Sequence, residues 1–263
     1  MTIDGRNDKP ARPAAEKRLT KGGEERRQIL RSVVAGSAIT CLALAGLLPQ
    51  MAARANPRLR PPGAIFEEDF LAACIKCGQC VQVCPVEAIK LADATDGVGI
   101  GTPFINARDQ ACDFSCDATQ CVLACPTEAL THKLTRKEEV TMGKARLAAP
   151  DKCLARAGKG FKGKARGADH GAMLRYEDID RWTPLPIAEH DYDLSLCDLC
   201  VRECPIPGAI ALEPLSAEAG DTRRTPVVKA GCVGCGVCEM MCPTDQPAIV
   251  IDVETGPRGV RRV

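Results

Sequence analysis

The cysteines of this chain fall into four blocks, each closing on the dipeptide Cys-Pro. The first reads Cys74-x2-Cys77-x2-Cys80-x3-Cys84-Pro85, and the fourth repeats that spacing as Cys232-x2-Cys235-x2-Cys238-x3-Cys242-Pro243. The second, Cys112-x3-Cys116-x4-Cys121-x3-Cys125-Pro126, has longer spacers. The third runs Cys197-x2-Cys200-x3-Cys204-Pro205, and 43 residues separate Cys197 from Cys153, the remaining candidate for its first position. Four cysteines per block use sixteen of the 17.

That pattern constrains the chemistry more than any other feature. Structural zinc takes two separated Cys-x2-Cys pairs around one tetrahedral ion. A disulfide scaffold gives no reason for one spacing to recur four times. Three cysteines in quick succession with a fourth before proline match the bacterial ferredoxin run that holds [4Fe–4S] clusters. The cubane presents iron at alternate corners, and two-residue spacers let a tight turn deliver three sulfurs to three corners. Gly78, Gly234 and Gly236 lie inside these loops, where a missing Cβ permits positive φ and close backbone approach. All sixteen block cysteines are therefore candidate ligands, and four clusters are the expected cofactors. In two-cluster ferredoxins the fourth cysteine of a run serves the neighbouring cluster. Crossed sets follow: Cys74, Cys77 and Cys80 with Cys125; Cys112, Cys116 and Cys121 with Cys84; Cys153, Cys197 and Cys200 with Cys242; Cys232, Cys235 and Cys238 with Cys204.

The surrounding chain repeats as well. The Cys-Pro dipeptides recur after 41, 79 and 38 residues, a period near forty with one long insertion. Proline followed by an acidic residue is a helix-opening signal. It predicts short helices at 86–89 and 127–130, and the related apolar segments at 207–210 and 246–249 are read the same way. Stretches such as Val227-Val228-Lys229 and Ile249-Val250-Ile251 read as strands. The expected fold is α+β, with tandem ferredoxin-like modules of two clusters each at 56–140 and 141–263, the second carrying an insertion at 154–196. Aromatic residues make up only 3% of the chain. Such thin cores need staples, and the clusters would supply them.

The N-terminus predicts a location. Arg26-Arg27 precede an uncharged stretch from Ser32 to Leu48, followed by Pro49 and an Ala53-Arg54-Ala55 triplet. A basic region, an apolar region and an A-x-A site make an export signal, and the paired arginines make it similar to the twin-arginine type. Residues 1–55 are thus expected to be a signal peptide or a membrane anchor, any membrane contact running through residues 32–48. Export after folding fits the clusters, because bare thiols in an oxidising periplasm form disulfides. Cys41 within the stretch reads as a small hydrophobe. Residues 1–55 hold ten basic and five acidic residues, so the remainder carries a net −4 and gives no reason to expect nucleic acid.

Leu59-Arg60-Pro61-Pro62-Gly63-Ala64-Ile65, Gly101-Thr102-Pro103-Phe104 and Ala107-Arg108-Asp109, together with the four blocks, resemble the NapG/MauM group of ferredoxin-type proteins. The resemblance spans nearly all of the chain beyond the signal. It implies a periplasmic four-cluster protein working with a membrane-bound, quinol-oxidising iron–sulfur partner and a periplasmic redox enzyme. NapG-type members imply electron delivery toward nitrate reductase; MauM-type members imply a role in methylamine utilisation, as carrier or as maturation factor. No P-loop, dinucleotide fingerprint or nucleophile elbow is present, so the chain reads as a wire and not an enzyme. The insertion is glycine- and lysine-rich at 156–166, and its second half holds Tyr176, Trp182, His190 and Tyr192. It reads as a solvated loop or a docking loop for a partner. With sixteen thiols for four clusters, neither His170 nor His190 is needed as a ligand.

Overall fold

The structure, a computed structural model, describes residues 21–52, 58–96, 99–116, 119–134, 136–170 and 191–253. It divides into two compact units, Met1–Ala53 and Arg54–Val263. The first holds one long helix, α1 (Lys21–Ala52), which contains both the arginine pair and the Ser32–Leu48 stretch. Its apolar side chains Ile29, Leu30, Val33, Val34, Ile39 and Leu42 are exposed. Among the described residues no helix is long and apolar enough to cross a membrane. The Ala53-Arg54-Ala55 triplet lies outside the described residues.

The second unit is built from very short elements. Helix α2 (Glu67–Ala73) opens with three acidic residues, favourable at a helix N-terminus. Four one-turn helices follow, one in each cysteine block: α3 (Gln79–Gln82), α4 (Gln120–Leu123), α5 (Leu199–Arg202) and α6 (Val237–Met240). Each carries one cysteine: Cys80, Cys121, Cys200 or Cys238. The N-caps of α3 and α6 are Gly78 (φ 73°) and Gly236 (φ 95°), in the left-handed region that the loop glycines were expected to supply.

Among the described residues the strands form four antiparallel pairs. β1 (Ile89–Leu91) pairs with β2 (Pro103–Ile105), and β3 (Lys144–Leu147) pairs with the last strand, β8 (Ile249–Asp252). Between them lie β4 (Phe161–Gly163) with β5 (Tyr192–Leu194), and β6 (Ile210–Pro214) with β7 (Arg224–Val228). The two halves share a plan. In the second, the opening strand β3 closes on the terminal strand β8 around the β6–β7 hairpin. In the first, Ala64 bridges Leu130 around the β1–β2 hairpin.

The segments after Cys-Pro are not helices. Each forms a turn, and three of the four lead into a strand, namely β1, β6 and β8. Glu87 (φ 50°), Glu128 (φ 55°) and Gly208 (φ 75°) adopt left-handed backbone there. The turn also diverts amides to sulfur: Ala88 N–H donates to Cys84 Sγ (3.3 Å), Leu130 N–H to Cys125 Sγ (3.4 Å) and Ala248 N–H to Cys242 Sγ (3.3 Å). An amide committed to a thiol sulfur cannot close a helical ladder, so the local helix signal loses to the sulfur.

The core is thin and rich in sulfur. Phe70, Leu130, Leu199, Met240 and Met241 are its largest fully buried side chains, and Cys80, Cys84, Cys121, Cys235, Cys238 and Cys242 are buried among them. Arg60 is the notable buried cation. Its Nε and Nη2 clamp the Glu67 carboxylate at 2.9 and 2.5 Å, its Nη1 donates to Thr102 Oγ1 and the Pro103 carbonyl, and its guanidinium lies 4.7 Å from the Phe70 ring. The Arg60-Pro61-Pro62-Gly63 and Thr102-Pro103 motifs are thus two sides of one packing contact.

Candidate metal centres

The block thiols gather into four sets, each drawn from two blocks. Cys80 lies within electrostatic reach of Cys74, Cys125 and Cys77, and these four sulfur residues line one cavity floored by Phe70 and Leu130. Cys112 is close to Cys121, Cys116 and Cys84. Cys200 is close to Cys197, Cys153 and Cys242, and those four line a second cavity with Leu147, Leu199 and Ile249. Cys238 is close to Cys235, Cys232 and Cys204. In every set three thiols come from one block and the fourth from the Cys-Pro of the other block in the same half. Cys41 belongs to the N-terminal unit.

The one-turn helices explain the crossing. Cys80 and Cys84 stand four residues apart, as do Cys121 and Cys125, Cys200 and Cys204, and Cys238 and Cys242. Such residues lie on one face of a helical turn. One turn therefore presents sulfur to two neighbouring sets at once. Cys121 is also within electrostatic reach of Cys80, and Cys238 of Cys200, so the two sets of each half are adjacent.

The halves meet through the sets at their inner ends. Cys112 N–H of the first half donates to the Cys235 carbonyl of the second at 3.3 Å. The approach requires glycine. A Cβ on Gly236, in the second half, would fall 2.5 Å from the Ala107 Cβ of the first. The four sets thus form a series: the Cys74 set, the Cys112 set, the Cys232 set and the Cys153 set.

Cys153 reaches Cys197 across the insertion because the insertion folds back at its base. Ala157 N–H and Lys159 N–H bond the carbonyls of Cys153 and Leu154, the Lys159 carbonyl then accepts from Cys197 N–H at 3.0 Å, and β4 pairs with β5. The glycine-rich stretch makes this contact. A Cβ on Gly160 would stand 2.0 Å from the Leu194 carbonyl oxygen. Tyr192, buried on β5, donates its hydroxyl to Glu203 at 2.9 Å and ties this hairpin to the end of α5. Residues 171–190, with Tyr176, Trp182 and His190, lie outside the described residues. His170 stands beside Arg166 and Arg108.

The donor chemistry fits an iron–sulfur cubane. Each set offers four thiols. Among the described residues no three Cys, His, Asp or Glu side chains converge tightly enough for a single metal ion; a cubane needs the wider spacing, since each thiolate binds a different corner. Burial pushes the Cys80 and Cys235 thiols up to about 12 and Cys197 to about 11, with Cys112, Cys121 and Cys238 also raised well above the ordinary value. Desolvation is the largest cause in each, and neighbouring thiols add to it. Such a site disfavours bare thiolate and admits it only with a compensating cation. The amide donors to Cys84, Cys125 and Cys242, together with Ala145 N–H to Cys232 Sγ (3.4 Å), are placed to stabilise charge on sulfur.

Sequence reasoning missed Arg60, Arg108 and Arg166 as individual residues. The first two sit inside the quoted motifs, but their partners lie far along the chain.

Residues 73–129 and 195–246 match the 4Fe-4S dicluster domain. The fold and these sets of thiols define a ferredoxin-type electron-transfer protein built from dicluster 4Fe–4S domains. The chain is 37% identical over 241 residues to the ferredoxin-type protein NapG of Escherichia coli K12, covering 89% of this chain and 88% of that protein. It is 37% identical over 204 residues to the methylamine utilization ferredoxin-type protein MauM of Methylobacillus flagellatus, covering 77% and 71%. With MauM of Methylorubrum extorquens the identity is 35% over 240 residues, covering 89% and 92%. The chain belongs to the NapG/MauM family of ferredoxin-type proteins. No solved structure matches it.

Proposed function

We propose that this protein is a periplasmic electron carrier with four [4Fe–4S] clusters. It would take electrons from a membrane-bound, quinol-oxidising iron–sulfur partner and pass them to a periplasmic oxidoreductase of the nitrate-reductase kind. The observation that carries the reading is the series of four crossed thiol sets within one continuous unit. When bound, the clusters supply one-electron chemistry without bond making at the protein. The residues do the rest. The sixteen block cysteines, as ligands, fix the centres in sequence; the amides bonded to sulfur tune them; and the contacts between Cys112 and Cys235 keep the inner centres together. The chain needs no catalytic constellation for this. Residues 1–55 would direct export by the twin-arginine route, with modules at 56–140 and 141–263 folded around their clusters beforehand.

The test is anaerobic purification of the full chain with iron and acid-labile sulfide counted. About sixteen of each per chain are expected, with reduction by a quinol-oxidising membrane fraction. Zinc or disulfides in place of iron would end the reading. In a deletion strain, loss of electron flow with the terminal enzyme mature supports the carrier. Absence of the mature enzyme supports instead a maturation role, such as the MauM relatives' methylamine utilization would suggest.

The insertion hairpin gives a sharper check. Gly160→Val drives a side chain into the Leu194 carbonyl and parts Cys153 from Cys197, a clash worth roughly 3 kcal/mol or more. Iron per chain is expected to fall by about a quarter. Full retention of iron would show that the hairpin contact is not what holds Cys153 at its set.

A further inference from the structure

Two arginines at the junction of the halves have no part in the reading above. Arg108 Nη1 donates to the carbonyls of Glu239 (2.9 Å) and Cys242 (2.8 Å), and its Nη2 to those of Thr244 (2.5 Å) and Asp245 (3.3 Å). Arg166 Nη1 donates to the carbonyls of Arg108 and Met240. Every acceptor is a neutral carbonyl. Among the described residues neither guanidinium is within ion-pair distance of a carboxylate; Asp109, which acts on Arg166 electrostatically, pairs with Lys90 at 2.9 Å, and the Glu239 carboxylate, which feels Arg108, accepts from Ile251 N–H. Burial and the two arginines hold the His170 pKa below the ordinary value.

Both cations lie near Cys242. Arg108 holds its carbonyl, and Arg166 feels its sulfur electrostatically. At the matching place in the first half the Cys125 carbonyl instead meets Nε2 of the exposed His132 at 2.9 Å. At these two matching Cys-Pro carbonyls the ends of the series therefore differ by two permanent, partly desolvated charges.

We propose that Arg108 and Arg166 are positioning residues that lock the halves together. In addition, their charge makes the centre held by Cys153, Cys197, Cys200 and Cys242 the electron sink of the series. This rests on the four-cluster reading and adds a direction to it. Reduction places one more negative charge at that end and moves no proton or bond. A cation close by stabilises the reduced form and raises the potential. Electrons taken up at the Cys74 end then run toward the Cys153 end, which is the output terminus.

The experiment is an EPR-monitored redox titration of the anaerobically purified full chain against Arg166→Gln, Arg108→Gln and Arg166→Lys. Iron content is measured first. A wild-type chain with fewer than four clusters refutes the four-cluster reading itself, whatever the arginines do. With four clusters present, Arg166→Gln is expected to move one midpoint to more negative potential. The other three stay in place, and Arg166→Lys restores most of the shift. The moving signal must be the one that Cys153→Ser alters. Four unmoved midpoints, or a shift in another centre, overturn the proposal. Arg108→Gln is expected to repeat the shift; loss of iron in both glutamine variants would show a purely structural role and also overturn it.

Discussion

Replacing Cys84 by Ser is expected to remove the centre of the second block, not of its own. Cys84 lies with Cys112, Cys116 and Cys121, while Cys74, Cys77 and Cys80 keep Cys125. Iron and sulfide should each fall by about a quarter, and the EPR signature of the Cys74 centre should survive with its magnetic neighbour gone. Cys125→Ser should give the complementary spectrum. Because the Cys84 thiol is buried and bonded by Ala88 N–H, the serine hydroxyl cannot reproduce its contacts. Some loss of stability accompanies the lost centre. Spectra in which each variant erases its own block's centre would refute the crossing.

Stripping the iron under reducing, anaerobic conditions is expected to unfold residues 58–253 almost entirely. The strands are three to five residues long and come only in pairs, an arrangement marginal in water by itself. Six buried cysteines sit in the core with Met240, Met241 and Val237, and further cysteines pack against it. Where sulfur ligation replaces apolar bulk, metal-binding free energy is folding free energy. Far-ultraviolet circular dichroism should fall to a coil-like spectrum and brief proteolysis should leave no resistant fragment. A cooperative thermal transition in iron-free material would contradict this.

The residues that cluster or turn locally were legible from sequence. The spacing set the thiol groups, and Gly78, Gly234 and Gly236 do adopt the positive φ that their loops require. The strands at Ile249–Asp252 and Arg224–Val228 follow from their β-branched runs. The helices read after each Cys-Pro were wrong, because an amide given to sulfur and a left-handed Glu87 or Glu128 override a proline-plus-acid signal. The helical turns lie instead inside the blocks, where four residues give no periodicity to detect. Long-range contacts left no mark. Nothing near Arg108 announces carbonyls 131 to 137 residues away, and a run of glycine and lysine at 158–164 looks solvated until Gly160 is seen pressed on Leu194.

The crossing also sets a timetable for biogenesis. No set of four thiols is complete until a late cysteine has emerged from the ribosome: Cys121 and Cys125 finish the two sets of the first half, Cys238 and Cys242 those of the second. Each half therefore becomes competent for metallation all at once, over a window of four residues. A truncated polypeptide would carry thiols with no quorum, and proteases would meet it as an unfolded chain.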